Sequence, residues 1–402
     1  MCFMSVLCYI SGYFESGGCM IKKRLLVTLT LGMVGLVAAT AETNIDFSGS
    51  FEQGYDFIWQ GSDYNVESAD SSEAELDVSI ADSKGVWSVE LGTWTPTDGD
   101  LFNDDLTLEG KLTVDLNANL AQNGFKPLPF GVELAIGNTD DDTTLSAYND
   151  VTGDGYADFK AIDMTLLGEA IVTSGDDITA KFTASPLDDS RGGTASVLYT
   201  PMEGISTSLG FVATTGGHTQ VVSFRGDDTF DATLGQGISL AATGNLDKFI
   251  DLDGYHATIS MFETYTMSRE TDDDNLNSFG ISVDGGNDLV NGYIQYALLS
   301  KSDKNTTLSD ESGLLTKNNN SSLIFQVNYN GVEEVPMDVY FKIMNLNDEP
   351  ADNLVYGMDA SYELAGITYS INPEYATHPD NTPGNMDGDS SFTIEGLVSM
   401  SF

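Results

Sequence analysis

Apolar and polar residues alternate with a period of two along most of this chain, and no other feature limits its fold as severely. Ile45, Phe47, Gly49 and Phe51 alternate with Asp46, Ser48 and Ser50. Leu112, Val114, Leu116 and Ala118 alternate with Lys111, Thr113, Asp115 and Asn117. The pattern recurs at 75–81, 86–93, 130–136, 177–184, 205–214, 236–243, 277–283, 289–298, 322–330, 336–345, 353–363, 366–375 and 391–402. Successive side chains of a strand point to opposite faces, so each segment has one apolar and one polar face. Helical periodicity is scarce. The stretch 160–172 is open to a helical reading, but Ile162 to Leu166 alternates and is read as strand. The fold class is all-β.

Between these segments lie clusters of Gly, Asn, Asp and Ser. Some are short, such as Asn123-Gly124 and Asn330-Gly331; others are long and acidic, at 60–73, 94–105, 138–157, 299–321 and 376–390. Glycine and asparagine tolerate the positive φ of tight turns. Short turns alternating with long polar loops predict an antiparallel meander with one plain and one elaborated end. No linker or composition break divides residues 42–402, which are read as one domain.

Residues 1–41 read as a start extension followed by an export signal. Lys22, Lys23 and Arg24 form a cationic n-region, Leu25 to Val37 an apolar core, and Ala39-Thr40-Ala41 a small-x-small cleavage site. Met20 is read as the true start. The three cysteines, Cys2, Cys8 and Cys19, all precede Ala41, so no disulfide is expected in the mature chain. The chain has 16 basic and 62 acidic residues. Removal of 1–41 takes away three bases and Glu15, which leaves 13 against 61 and a net charge of −48. A polymer this acidic repels phosphate backbones, which argues against nucleic acid as a partner.

Strands with one apolar face have two outlets. They can stack on one another around a dry core, or close into a barrel whose apolar face meets lipid. In a bilayer every backbone group must pair internally, so closure is compulsory. The segments approach the ~9–11 residues of outer-membrane strands. Many aromatics fall near segment ends, among them Tyr55, Phe57, Trp59, Phe130, Tyr296, Tyr329, Tyr356 and Tyr375. The final segment, with Phe392, Ile394, Val398, Met400 and Phe402 on one parity, alternates to an aromatic last residue. It resembles the terminal strand of bacterial outer-membrane β-barrel proteins, with Val398 and Met400 where further aromatics are common. That resemblance implies a transmembrane antiparallel up-and-down β-barrel, assembled by the barrel-assembly machinery in the bacterial outer membrane. About fifteen segments are counted and such barrels normally have an even number. The expectation is about 16 strands, within a range of 14 to 18.

In such a barrel the polar parity faces the lumen. It carries Glu52, Glu75, Asp77, Glu90, Asp115, Glu133, Asp338, Asp359, Glu374 and Glu395, against Lys111, Lys181 and Lys342. Carboxylates lining a pore favour cations. The resulting expectation is a porin: passive diffusion of small hydrophilic solutes with cation preference, no catalytic residues and no required cofactor. General porins are commonly trimers, and a homotrimer is one arrangement open to this chain. Two alternatives stand beside it, a substrate-selective channel and a surface adhesin or structural β protein acting through its long acidic loops.

One loop offers a metal site. Asp150, Thr152, Asp154, the Tyr156 carbonyl and Asp158 fall at positions 1, 3, 5, 7 and 9 of a calcium-loop pattern, with Gly155 at the sharp turn. The stretch resembles the calcium loops of dockerins and FG-GAP-type repeats. It departs at position 12, where Ala161 stands in place of a bidentate acid. Adjacent acids such as Asp104/Asp105 and Asp188/Asp189 read as solvated loop charge. His218, His256 and His378 are isolated from any nucleophile, so no enzyme motif is found.

Overall fold

Neighbouring strands pair antiparallel in chain order, and the last closes on the first. The computed structural model describes residues 43–68, 73–94, 107–138, 144–148, 167–185, 191–214, 219–223, 229–268, 275–301, 319–331, 335–343, 354–377 and 390–401. The first half of the sheet is β1 (Thr43–Gln60), β2 (Asp63–Ser68), β3 (Glu73–Asp82), β4 (Trp87–Trp94), β5 (Thr107–Asp115), β6 (Gly131–Asn138), β7 (Leu167–Ser174), β8 (Ile178–Ser185), β9 (Gly192–Met202) and β10 (Ile205–Thr214). The second half is β11 (Thr219–Ser223), β12 (Thr229–Asn245), β13 (His256–Ser268), β14 (Leu276–Gly286), β15 (Val290–Lys301), β16 (Asn319–Tyr329), β17 (Met337–Ile343), β18 (Leu354–Leu364), β19 (Ile367–Ala376) and β20 (Ser391–Ser401). A short helix, α1 (Leu116–Gln122), lies between β5 and β6.

β1 pairs with β3 through Thr43–Glu52 and with β20 through Ser50–Gln60. This double pairing seals the sheet and leaves it no edge. Among the described residues the closed ring contains eighteen strands. β2 and β11 are not separate staves. β2 continues the β1 hairpin beyond β3, and β11 continues the β12 hairpin beyond β10.

Eighteen replaces the expected figure of about 16. The count of alternating segments lacked β9 and β13 and held 160–172 apart, where β7 lies at Leu167–Ser174. Each hides its alternation for a physical reason. β9 opens on Gly192-Gly193 and contains Pro201, so its apolar parity is thin. β13 carries Phe262 on the inward parity and Glu263 on the outward one, which inverts the pattern at its centre. β7 puts Ile171 on the same parity as Glu169.

The two ends differ as expected. β1 begins and β20 ends at the same end, where the connections include 83–86, 175–177, 203–204, 287–289 and 365–366. Segments 95–106, 139–166, 302–318, 344–353 and 377–390 join strands at the other end. Ala365 and Gly366, at φ 56° and 79°, make the two-residue β18–β19 turn. Positive φ at both positions is the hairpin geometry whose twist matches the flanking strands. α1 is capped by Asp115, whose carboxylate accepts from the Ala118 N–H at 2.9 Å. Lys248 and Glu203, 3.0 Å apart, tie two neighbouring turns. The hydrogen bond to Glu203 raises the Lys248 ammonium above the ordinary lysine value.

Large apolar side chains point outward all round the barrel. Phe47, Phe51, Leu112, Ile136, Phe182, Phe211, Leu240, Met261, Phe325, Tyr369 and Val398 are among the exposed ones. Trp59 packs against Tyr64 and Phe392, with ring centroids 5.2 and 5.8 Å away, at the long-loop end of β1. Tyr356 and Tyr375 pair at 5.0 Å. An outer surface of this kind is stable against hydrocarbon and not against water. Among the described residues no helix is long and apolar enough to cross a membrane.

Candidate permeation pathway

The inward parity can be followed from strand to strand by register. Ser50 stands opposite Glu75, Ser79 opposite Glu90 and Glu90 opposite Lys111. Asn328 stands opposite Asp338, and Asp338 opposite Asp359. Asn372 stands opposite Glu395, and Glu395 opposite Asp56. Glu52, Glu75, Asp77, Glu90, Asp115, Glu133, Asp338, Asp359, Glu374 and Glu395 all share this parity, as do Lys111 and Lys181. Lys342 occupies it by register, opposite Ile324 and Val355.

These residues do not form one uniform lining. The acids concentrate on β17–β20, β1, β3 and β4, which are consecutive round the ring. The inward residues of β9, β10 and β12–β15 are mainly hydroxyls: Ser196, Ser208, Ser239, Ser260, Thr264 and Ser278 are all buried. A segment of the β6–β7 connection, Thr144–Tyr148, lies against this second wall from inside. The Leu145 N–H donates to Ser196 Oγ at 2.9 Å and the Ala147 N–H to Ser208 Oγ at 2.8 Å. The Thr243 hydroxyl donates to the Ala147 carbonyl. These bonds satisfy backbone groups that would be costly to bury unpaired.

Tyr148 anchors the segment. Its ring meets Phe262 edge-on, with centroids 4.7 Å apart at 69°. Its hydroxyl accepts from Gln295 Nε2 at 2.7 Å and lies 3.4 Å from the Tyr293 hydroxyl. Gln295 is fully buried. Phe262 lies over Gly280, directly across the β13–β14 pair, where a Cβ would collide with the ring. The same device recurs on the acidic side. Tyr340 covers Gly357 across β17–β18, and its hydroxyl donates to Glu374 Oε2 at 2.8 Å and Asn372 Oδ1 at 3.2 Å.

Between the two walls lies an ion triad. Glu169, on β7, is buried; its carboxylate lies 3.4 Å from Lys111 Nζ and 3.1 Å from Lys181 Nζ. One acid thus holds two of the inward lysines. Glu169 is absent from the residues singled out above, although it is the one charged residue in Leu167–Ser174. Phe262, Gln295 and Tyr340 were missed too. Phe262 and Tyr340 left a signal, each as an aromatic out of parity. Asp115 is inward by register, but its carboxylate is spent on capping α1. Phe392, Ile394, Val398 and Met400 lie on the outward parity of β20. Phe402 and the loop Asp150, Thr152, Asp154, Tyr156 and Asp158 lie outside the described residues, as does 1–41. No group of metal-ligating side chains occurs among the described residues.

No protein-family model matches the chain, and no curated protein sequence is similar enough to count as a relative. Solved structures do match. The chain is similar in fold to OpdQ of Pseudomonas aeruginosa, at TM-score 0.54 and 8% identity, covering 90% of this chain and 98% of that one. OprD of the same organism matches at 0.54 and 8%, covering 89% and 95%. OccD3 (OpdP), also of that organism, matches at 0.53 and 10%, covering 90% and 92%. At such identities the likeness is one of fold. It extends over nearly the whole barrel.

Proposed function

We propose that this chain is a channel of the bacterial outer membrane, through which small hydrophilic solutes diffuse passively and cations are preferred. The observation that carries the reading is the division of the inner wall: carboxylates on β17–β20, β1, β3 and β4, and a neutral hydroxyl wall covered by Thr144–Tyr148. A barrel of this strand number encloses a lumen too wide for wall side chains alone to fill. Among the described residues, no segment lies over the acidic part. Asp338 stands opposite Asp359 and Glu395 opposite Asp56, at the ~5 Å separation of neighbouring strands. Like charges in direct opposition destabilise a sheet, and mobile cations in the lumen offset that repulsion.

The fold neighbours support the channel reading, since they are outer-membrane porins of the OprD/Occ kind. On this reading 1–41 is the export signal, and the β20 outward residues with Phe402 are read by the barrel-assembly machinery. The Asp150–Asp158 loop is carried forward as a calcium site, for which calcium titration calorimetry of wild type against Asp154→Ala is the test.

Recordings in planar lipid bilayers test the proposal. Purified protein is expected to give stepwise, ohmic conductance in potassium chloride. Block of that current by one small organic cation at saturable concentration marks a selective channel, and no block marks a general one. Folded protein that inserts in lipid without conducting would overturn the channel and leave the reading in which the loops act on a partner.

A further inference from the structure

We infer that Tyr148 is a positioning residue for permeation: by holding Thr144–Tyr148 on the neutral wall, its contacts with Gln295, Tyr293 and Phe262 keep traffic on the acidic wall. A neutral hydrogen bond that includes none of the proposed lining carboxylates thereby governs charge selectivity.

The geometry is specific. Ser196, Ser208, Thr243, Phe262, Gln295 and Tyr293 belong to β9, β10, β12, β13 and β15, and all point inward at the segment. These strands lie across the ring from β1 and β3. The backbone contacts at Leu145 and Ala147 are single hydrogen bonds to hydroxyls. The side chain of Tyr148 adds an aromatic contact with Phe262 and accepts a hydrogen bond from the wholly buried Gln295. Taking one hydrogen bond from a buried amide is costly, so latch and keeper are coupled. Gly280 fixes the keeper, because only a residue without Cβ lets Phe262 lie across β14.

The consequence is electrostatic. With the segment in place, a permeating ion travels beside carboxylates. With it released, a second lane opens beside Ser208, Ser239, Ser260 and Ser278, which carry no charge. Conductance rises and cation preference falls together. A lining acid behaves differently, since its neutralisation lowers cation preference without widening the lumen.

The test uses the full-length protein exported to and purified from the outer membrane. Its variants are Tyr148→Ala, Gln295→Leu, and Tyr148→Ala combined with Ala147→Cys and Ser208→Cys. The Ala147 N–H lies 2.8 Å from Ser208 Oγ, which sets residue 147 against residue 208, and mass spectrometry of the oxidised variant verifies that the cysteine pair has joined before its conductance is read. Tyr148→Ala is expected to raise single-channel conductance about twofold, as the covered wall joins the open lumen, and to shift the reversal potential towards zero. Gln295→Leu, which keeps the volume, is expected to do the same more weakly. Oxidising the cysteine pair returns both quantities to wild-type values, and reduction abolishes the rescue. If the oxidised triple variant stays as conductive as the reduced one, the lost ring volume alone explains the change and the inference falls. Unchanged conductance in both Tyr148→Ala and Gln295→Leu also overturns it. The selectivity readout rests on the cation reading above; the conductance readout and its rescue do not. A wild type without cation preference therefore sinks that reading while the latch is still decided.

Discussion

Glu169 Oε2 lies 3.1 Å from Lys181 Nζ, and the other oxygen of the same carboxylate lies 3.4 Å from Lys111 Nζ. The acid is nearly fully buried, and the two lysine side chains are 17% and 10% exposed. Burying charge is expensive, and pairing the lysines with the carboxylate offsets part of that cost. Its effect is to mute two cations that would otherwise stand on the inward parity beside the acids.

Glu169→Gln is expected to have two effects. Leaving buried lysines without their acid costs about 3–5 kcal/mol, read as a lower unfolding midpoint in denaturant. It also exposes the lumen to uncompensated positive charge, so the reversal potential moves towards the anion side. Adding Lys181→Met to Glu169→Gln should recover part of both. Unchanged stability in Glu169→Gln would remove the triad from the account.

Asp338→Asn and Asp359→Asn address the opposed acids of β17 and β18. Each relieves a like-charge pair, so each is expected to raise stability slightly, by about 0.2–1 kcal/mol. Each should also lower cation preference. A variant that gains stability and keeps full selectivity would show that this pair does not face the permeant.

Glu263 is an acid near the centre of β13 on the outward parity, exposed between Met261 and Tyr265. A charge facing lipid is penalised, less for carboxylates than for basic residues. Glu263→Leu is expected to stabilise the barrel by about 1 kcal/mol in detergent or lipid unfolding assays. Conductance should not change, because the side chain is outside. Destabilisation would mean that the outer face of β13 meets something other than hydrocarbon.

Ala365 holds φ 56° in the β18–β19 turn, a region that costs a residue with a Cβ about 1 kcal/mol or more. Ala365→Gly or Ala365→Asn should raise the unfolding midpoint without altering conductance. A loss of stability would contradict the turn geometry.

Much of the barrel is legible in the sequence because a lipid-facing strand cannot hide its parity. Phe47, Leu112, Ile136 and Val398 alternate with polar partners and lie on strands, but the alternation read through Leu116 and Ala118 is wrong at its end, where Asp115 caps a helix and Leu116–Gln122 form α1. Of the strands that escaped, β9 has a thin outer parity, while β7 and β13 carry an apolar residue on the inner face. Phe262 on β13 serves the Tyr148 latch, and Ile171 on β7 sits beside the Glu169 triad. Alternation fails where the inner wall packs against something other than water. The inward parity of the acids was readable for the same reason as the apolar parity. Their grouping on one wall was not, because it depends on which strands the Thr144–Tyr148 segment covers. That choice is made by single hydroxyls such as Ser196 and Ser208, which look like any other polar strand residue.

The central claim is that ions pass beside the acidic wall. The most direct measurement is the zero-current potential of single channels in an asymmetric potassium chloride gradient. The account predicts a potential on the potassium side, which declines as Asp338, Asp359, Glu374 and Glu395 are replaced one after another by their amides. A potential at zero, or on the chloride side, in the unaltered protein would contradict it.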